Sequence, residues 1–165
     1  FWEAAQQRRL TVACCSECNI YRMPPTPFCP NCLSQKIDWP TLSGVGIIYS
    51  FTIVSKAIFP EMEASLPYVP CLITLPDAGN IRLISNIVDV PVTRIAIGAS
   101  VTVVWALMPD GSVVPRFTLR DWRTKNQPNH VSTVISQKSF GTFATPKKLD
   151  LFYWNSDSEW LKLHG

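Results

Sequence analysis

Groups that titrate near neutral pH are scarce in this sequence. Its two histidines, His130 and His164, both fall in the C-terminal stretch. No serine or cysteine stands in a recognisable nucleophile motif, and with seven glycines there is no Gly-rich loop to cradle phosphate. Asp77 and Asp110 sit in turn sequences, where carboxylates ordinarily cap backbone groups, and Asp89 ends a strand pattern where it can cap the next turn. The expectation is a chain without a self-contained active site. Charge is also sparse: 16% of residues are charged, the formal net charge is +3, and the basic residues are scattered, so a strong polyanion-binding footprint is missing. No apolar run reaches the roughly 18 residues that would span a bilayer, and no signal-peptide pattern opens the chain. The first residue is Phe, so the natural chain is expected to begin further upstream. Fourteen prolines against seven glycines point to a β-rich chain with stiff connections and few long helices.

Cysteine is what the sequence does have, and in a telling pattern. Cys15-x-x-Cys18 is followed, after ten residues, by Cys29-x-x-Cys32. Each pair makes a tight turn that aims two thiolates inward, and together they give the four sulfurs that a tetrahedral zinc site uses. Iron also accepts four thiolates, but a ribbon-like spacing with no other redox signature favours zinc. Two disulfides are the alternative; nothing else in the chain suggests secretion, and free thiolates point to a reducing cytoplasm. With all four positions thiolate, none is open for water or substrate, so the zinc is expected to be structural. Cys14 competes with Cys15 for the first position through a longer gap, and the two-residue spacing favours Cys15. Cys71 lies in an apolar run and reads as core.

Taken in order, residues 1–38 form an N-terminal helix and zinc ribbon, 39–120 a β-barrel, and 121–165 a C-terminal extension. Residues 1–10 are good helix formers, with Trp2, Ala5 and Leu10 as an apolar face. Residues 11–13 lead into the first knuckle as a short strand, and 35–42 read as a linker. The β-branched and aromatic stretches at 46–54, 68–75, 81–88, 100–107 and 113–119 predict five strands. Residues 56–66 read as an irregular loop, 76–80 and 109–111 as turns, and 89–98 as a connection with a possible helical turn. Long strand, hairpin, connection and hairpin fit a small closed barrel of the oligonucleotide/oligosaccharide-binding (OB) type, with an open sandwich as the alternative. Beyond Arg120 a polar stretch precedes an aromatic one holding Phe152, Tyr153, Trp154 and Trp160. So apolar a tail either packs back on the barrel or forms a contact surface for another subunit.

Binding is more plausible than catalysis. Lys56, Arg82, Arg94 and Arg116 stand singly at strand ends or faces, and either are solvated charges or reach the phosphates of a nucleotide-like ligand. Tyr49 and Phe51, two apart, would share a strand face as core, as an interface, or as a platform for stacking single-stranded bases. A zinc-ribbon/OB module that binds single-stranded nucleic acid is thus one candidate, which the weak net charge disfavours.

A set of local sequences also resembles a known family. Phe1-Trp2-Glu3 opens the helix, Cys15-Ser16-Glu17-Cys18 forms the first knuckle, and Pro24-Pro25 precedes Phe28-Cys29-Pro30-Asn31-Cys32-Leu33-Ser34. Ser43-Gly44-Val45-Gly46 comes before Tyr49-Ser50-Phe51-Thr52, and Pro67-Tyr68-Val69 before the next strand. Asn86-Ile87-Val88-Asp89, Ile97-Gly98 and Pro115-Arg116-Phe117 complete the set. These resemble the zinc-ribbon plus OB-fold proteins associated with acyl-CoA enzymes, long catalogued as a domain of unknown function. The likeness covers residues 1 to about 119. Cys14 stands where that family often has a basic residue, and Asn19 where Gly usually follows the knuckle. Asn tolerates the left-handed backbone required there. The resemblance implies a non-catalytic accessory subunit of a thiolase-like enzyme that makes or breaks carbon–carbon bonds of acyl-CoA, including steroid side-chain thioesters. It also implies a hetero-oligomer with acyl-CoA at a shared site and the catalytic groups in the partner. Lys56, Arg82 and Arg116 are then candidate ligand contacts, and Phe152, Tyr153 and Trp154 a candidate docking surface.

Overall fold

The first helix is shorter than the residue pattern predicts. In the structure, a computed structural model that describes residues 1–122, helix α1 is Trp2–Gln6. Arg8 takes a left-handed backbone, φ 57°, and donates its N–H to the Ala5 carbonyl at 2.8 Å, while the Arg9 N–H reaches the Ala4 carbonyl at 2.9 Å. That crossed pair of bonds around a left-handed residue is a Schellman stop, made here without glycine. Ending the helix there reassigns its faces. Ala4, Ala5 and Leu10 are buried, but Trp2 is 63% exposed and meets the edge of Phe1 with ring centroids 4.9 Å apart.

Three short strands make the ribbon sheet: β1 (Ala13–Cys15), β2 (Tyr21–Arg22) and β3 (Ile37–Asp38), in the order β2-β1-β3. β3 falls in the stretch expected to be a linker. It pairs antiparallel with β1, Cys14 opposite Asp38 and Cys15 opposite Ile37, which satisfies the β1 edge that β2 leaves free. Two residues are too few to show a period in sequence.

The five long stretches become β4 (Val45–Phe51), β5 (Val69–Leu75), β6 (Ile81–Ile87), β7 (Ser100–Leu107) and β8 (Val113–Leu119). They close into a barrel in the order β4-β5-β6-β8-β7, with β7 pairing back to β4 and β6 meeting β8 in parallel. This is the OB-type barrel, not an open sandwich. Alternation drives closure: Val69, Cys71, Ile73 and Leu75 of β5 all point into the core, with Ile48, Leu83, Ile87, Val101 and Phe117 around them. Gly46 lets β4 approach β5, since a Cβ there would collide with Ile73. The expected connection 89–98 does contain a helical turn, a 3₁₀ segment at Val92–Arg94, and a second such segment, Pro60–Ser65, lies within the loop at 56–66.

One strand departs from simple alternation in a way that matters. Between Ile48, opposite Ile73, and Ser50, opposite Leu72, β4 carries an extra residue, Tyr49. Such a bulge shifts the period by one. Tyr49 therefore lies outside the barrel while Phe51, opposite Cys71, packs on the core. The pair does not share a face, and the stacking platform that their spacing suggested is not formed.

The ribbon is fastened to the barrel. Leu10 and Val12 belong to the barrel's core, and the Tyr21 ring packs against it beside Gly79. The Leu42 N–H donates to the Leu10 carbonyl at 2.8 Å, and the Ser43 N–H donates to Asp77 Oδ2 at 2.7 Å. Asp110 accepts the Ser112 N–H and hydroxyl, at 2.9 and 2.7 Å. Both aspartates cap backbone N–H groups, Asp110 within its own turn and Asp77 across to the start of the barrel. Among the described residues no helix is long and apolar enough to cross a membrane. His130, His164 and the aromatic tail with Phe152, Tyr153 and Trp154 lie outside the described residues.

Phe117 is fully buried where β6, β7 and β8 meet, whereas Ile84, on the outer face of β6, is 77% exposed. Phe117→Ala is expected to cost about 3–5 kcal/mol in denaturant unfolding, and Ile84→Ala less than about 0.5 kcal/mol.

Candidate metal centre

Two loops of the same construction bring the four cysteines together. At the end of β1 the Cys15 N–H donates to the Ile20 carbonyl at 3.0 Å and the Asn19 N–H returns to the Cys15 carbonyl at 2.8 Å. In the second loop the Cys29 N–H donates to Ser34 at 2.9 Å and the Leu33 N–H to Cys29 at 3.0 Å. Each loop is completed by a left-handed residue, Asn19 at φ 57° and Leu33 at φ 60°. Asn19 takes the conformation expected of it. Leu33 has neither a short polar side chain nor glycine's freedom to ease that backbone. An ion pair between Glu17 of the first loop and Lys36 of the segment leading into β3, 2.6 Å apart, ties the two at the surface.

The four sulfurs lie within 4.8 Å of one another, with Cys15 and Cys32 3.5 Å apart and Cys18 and Cys29 3.4 Å apart. All are free thiols, at separations far beyond the roughly 2.05 Å of a disulfide. A tetrahedral zinc with bonds of about 2.3 Å asks for sulfurs at close to this spacing. Cys15 and Cys29 are buried, Cys18 is half-buried and Cys32 is exposed.

The electrostatics call for a cation. The backbone N–H groups of Cys32 and Asn31 pull the Cys29 thiol down to about 6. The Cys18 N–H likewise lowers Cys15, against the effect of its burial. At Cys32 the Ser34 N–H favours a thiolate, but partial loss of hydration and the other three thiols prevail and push it up to about 12. Amides stabilise the first charges in the cluster, and those charges then oppose the rest. A divalent cation among them removes the conflict, so the donor set fits zinc; Cys15, Cys18, Cys29 and Cys32 would hold it with no open position.

Cys14 stays out of the cluster. Alternation along β1 turns it to the opposite face from Cys15, where its thiol is raised chiefly by burial and next by Asp38. Cys71 is core, as its apolar context implied, and burial pushes it up to about 11.

The basic residues considered as ligand contacts are spread over the barrel. Lys56 lines an open cavity of about 490 Å³ with Ala57, Ile58, Glu63 and Leu66 in the loop after β4. Arg82 lies outside, its guanidinium 3.6 Å above the centre of the Tyr49 ring, a contact that the sequence did not announce. Arg82 pairs with Thr74 at one end of β5 and the Lys56 loop adjoins Tyr68 at the other, roughly 20 Å away by strand rise. These two do not form one anion site. Arg116, on β8, is half-buried and lies near Cys71, its positive charge partly offsetting the rise that burial gives that thiol.

A rubredoxin-like ribbon seated on an OB barrel, with four thiols placed for a structural zinc, is the class that this geometry defines. Family descriptions match both parts: "ChsH2, rubredoxin-like zinc ribbon domain" over residues 2–38 and "ChsH2, C-terminal OB-fold domain" over 39–106. Among solved structures, the chain is similar to one in the "Ltp2-ChsH2(DUF35) aldolase", 34% identical, covering 72% of this chain and 90% of that one, with a TM-score of 0.65. A DUF35 protein of unknown function from Sulfolobus solfataricus, 17% identical over 72% of this chain and 81% of its own, TM-score 0.50, shares the fold. A "Probable enoyl-CoA hydratase alpha subunit" of Thermomonospora curvata is 39% identical over 108 residues, 64% of this chain. The chain spans about a third of that relative's length, 32%. This chain belongs to the ChsH2 (DUF35) family of zinc-ribbon and OB-fold proteins.

Cys29→Ser is expected to lower bound zinc well below about one ion per chain by elemental analysis and to unfold the ribbon, seen as lost amide dispersion for residues 11–38. Leu33→Gly relieves a left-handed leucine and should stabilise the zinc-loaded protein by about 0.5–1 kcal/mol, read from its thermal midpoint.

Proposed function

We propose that this protein is a non-catalytic accessory subunit of a thiolase-like acyl-CoA enzyme: an aldolase, thiolase or acyltransferase acting on carbon–carbon bonds. In this role it stabilises the partner and helps to shape the CoA and acyl site. Support comes first from its likeness to the ChsH2 chain of an Ltp2–ChsH2 aldolase, which extends over nearly all of that chain. The acyl-CoA connection is echoed in the name of the Thermomonospora relative. The substrate class we favour is a steroid side-chain thioester, and the setting a reducing cytoplasm in which thiolates stay free for metal. Lys56, Arg82 and Arg116, which do not converge, would each offer positive charge to a CoA phosphate singly and not as one site. Phe152, Tyr153 and Trp154 would add an apolar surface for the partner.

The nucleic-acid reading gains nothing from the geometry. Its aromatic platform is divided by the bulge at Tyr49, and one face of that ring is already occupied by Arg82.

Affinity capture of the full chain from its native lysate at moderate salt, followed by mass spectrometry, tests the proposal. A thiolase-like protein in stoichiometric amount is the expected result. Nucleic acid that elutes with added salt, without such a protein, would overturn it. Replacing Phe152, Tyr153 and Trp154 together by Ala should weaken the complex at least about tenfold in a titration while leaving the barrel's unfolding midpoint unchanged.

A further inference from the structure

Arg22 is 5% exposed, and its Nε and both Nη atoms are buried without a hydrogen-bond partner. Water solvates a guanidinium strongly, so burying one is costly unless negative charge compensates it. Strand register indicates where that charge is. Arg22 lies opposite Ala13, so the two side chains leave the β1–β2 pair on one face. Cys15, two residues beyond Ala13, projects from that same face. The other face carries Cys14, Tyr21 and Asp38, and it is the one turned to the barrel, where Val12 and Tyr21 pack. Asp38, the carboxylate of this sheet, lies on that other face and makes no hydrogen bond with Arg22, although the guanidinium is near enough to act on the Cys14 thiol. What Arg22 does share a face with is the first thiol of the metal cluster. Four thiolates around a divalent ion leave about two net negative charges.

We propose that Arg22 is a positioning residue of the metal centre, its guanidinium balancing the net negative charge of the metal–tetrathiolate unit. The sequence places it outside both Cys-x-x-Cys motifs, and it acts on the metal through the thiolates rather than as a ligand. Burial of Arg22 and occupation of the site are then coupled: the metal-loaded ribbon tolerates the charge, and the metal-free ribbon holds it uncompensated.

The test is zinc affinity of the full chain, by competition with a chromophoric chelator at neutral pH. Arg22→Met, which keeps length and loses charge, should bind zinc about 10-fold more weakly, and Arg22→Lys within about 3-fold of the parent. A charge role also predicts coupling to the ligand set. Cys32→His replaces one thiolate by a neutral ligand at the exposed corner, and in that background Arg22→Met should cost much less than it does alone. Unchanged affinity in Arg22→Met would overturn the proposal. So would an equal penalty in both backgrounds, which is what packing alone predicts. If Arg22→Met does not fold, the Lys variant decides: a 10-fold loss there, with charge retained, refutes charge compensation.

Discussion

Thiols held this close cannot all ionise without a cation among them, and that constraint governs residues 2–38. Backbone amides in the two loops are aimed to stabilise thiolates at Cys15 and Cys29, while the neighbouring thiols oppose a further charge at Cys32. The loops are thus preset for a metal and at odds with themselves lacking one. Because Leu10 and Val12 pass directly from this region into the barrel core, order in the ribbon also fixes how the chain enters the barrel. The ribbon's three strands hold only seven residues among them, three, two and two, too few to persist by strand pairing alone.

Much of this was legible in the sequence, for identifiable reasons. Paired cysteines at fixed spacing advertise their chemistry regardless of fold. The strands of the barrel were readable because one face is buried and the other wet, which leaves alternation in β5 and β6. Asp110 followed local rules, accepting from Ser112 two residues on, whereas Asp77 caps the distant Ser43 N–H. Features set by tertiary context stayed hidden. The left-handed stop at Arg8 lacks the glycine that ordinarily marks it, and β3 is too short for a pattern. The bulge at Tyr49 inverts inside and outside within a strand whose composition gives no warning. Arg22 is another such case, since an arginine in sequence reads as solvated and only the packing buries it.

The outside of the barrel departs from an ordinary polar exterior. Ile47, Tyr49 and Ile84 are exposed on β4 and β6, with Arg82 laid over the tyrosine. Ile58 and Phe59 stand out from the loop beside Lys56. Surface of this kind, apolar and rimmed by single cations, suits a protein that works against another, in keeping with the accessory role proposed.

Closure of the barrel through β7 and β4 has a further bearing on recognition. The β6–β8 seam is a single pair, Ile87 opposite Phe117, whereas β5 is laddered on both sides, to β4 and to β6, and presents no vacant row of amides and carbonyls to an incoming chain. Association by lending or borrowing a strand is barred at β5. A companion on that side of the barrel must read side chains instead of backbone. Selectivity for one companion over its cousins can then drift by point substitution at the surface while the underlying scaffold stays intact.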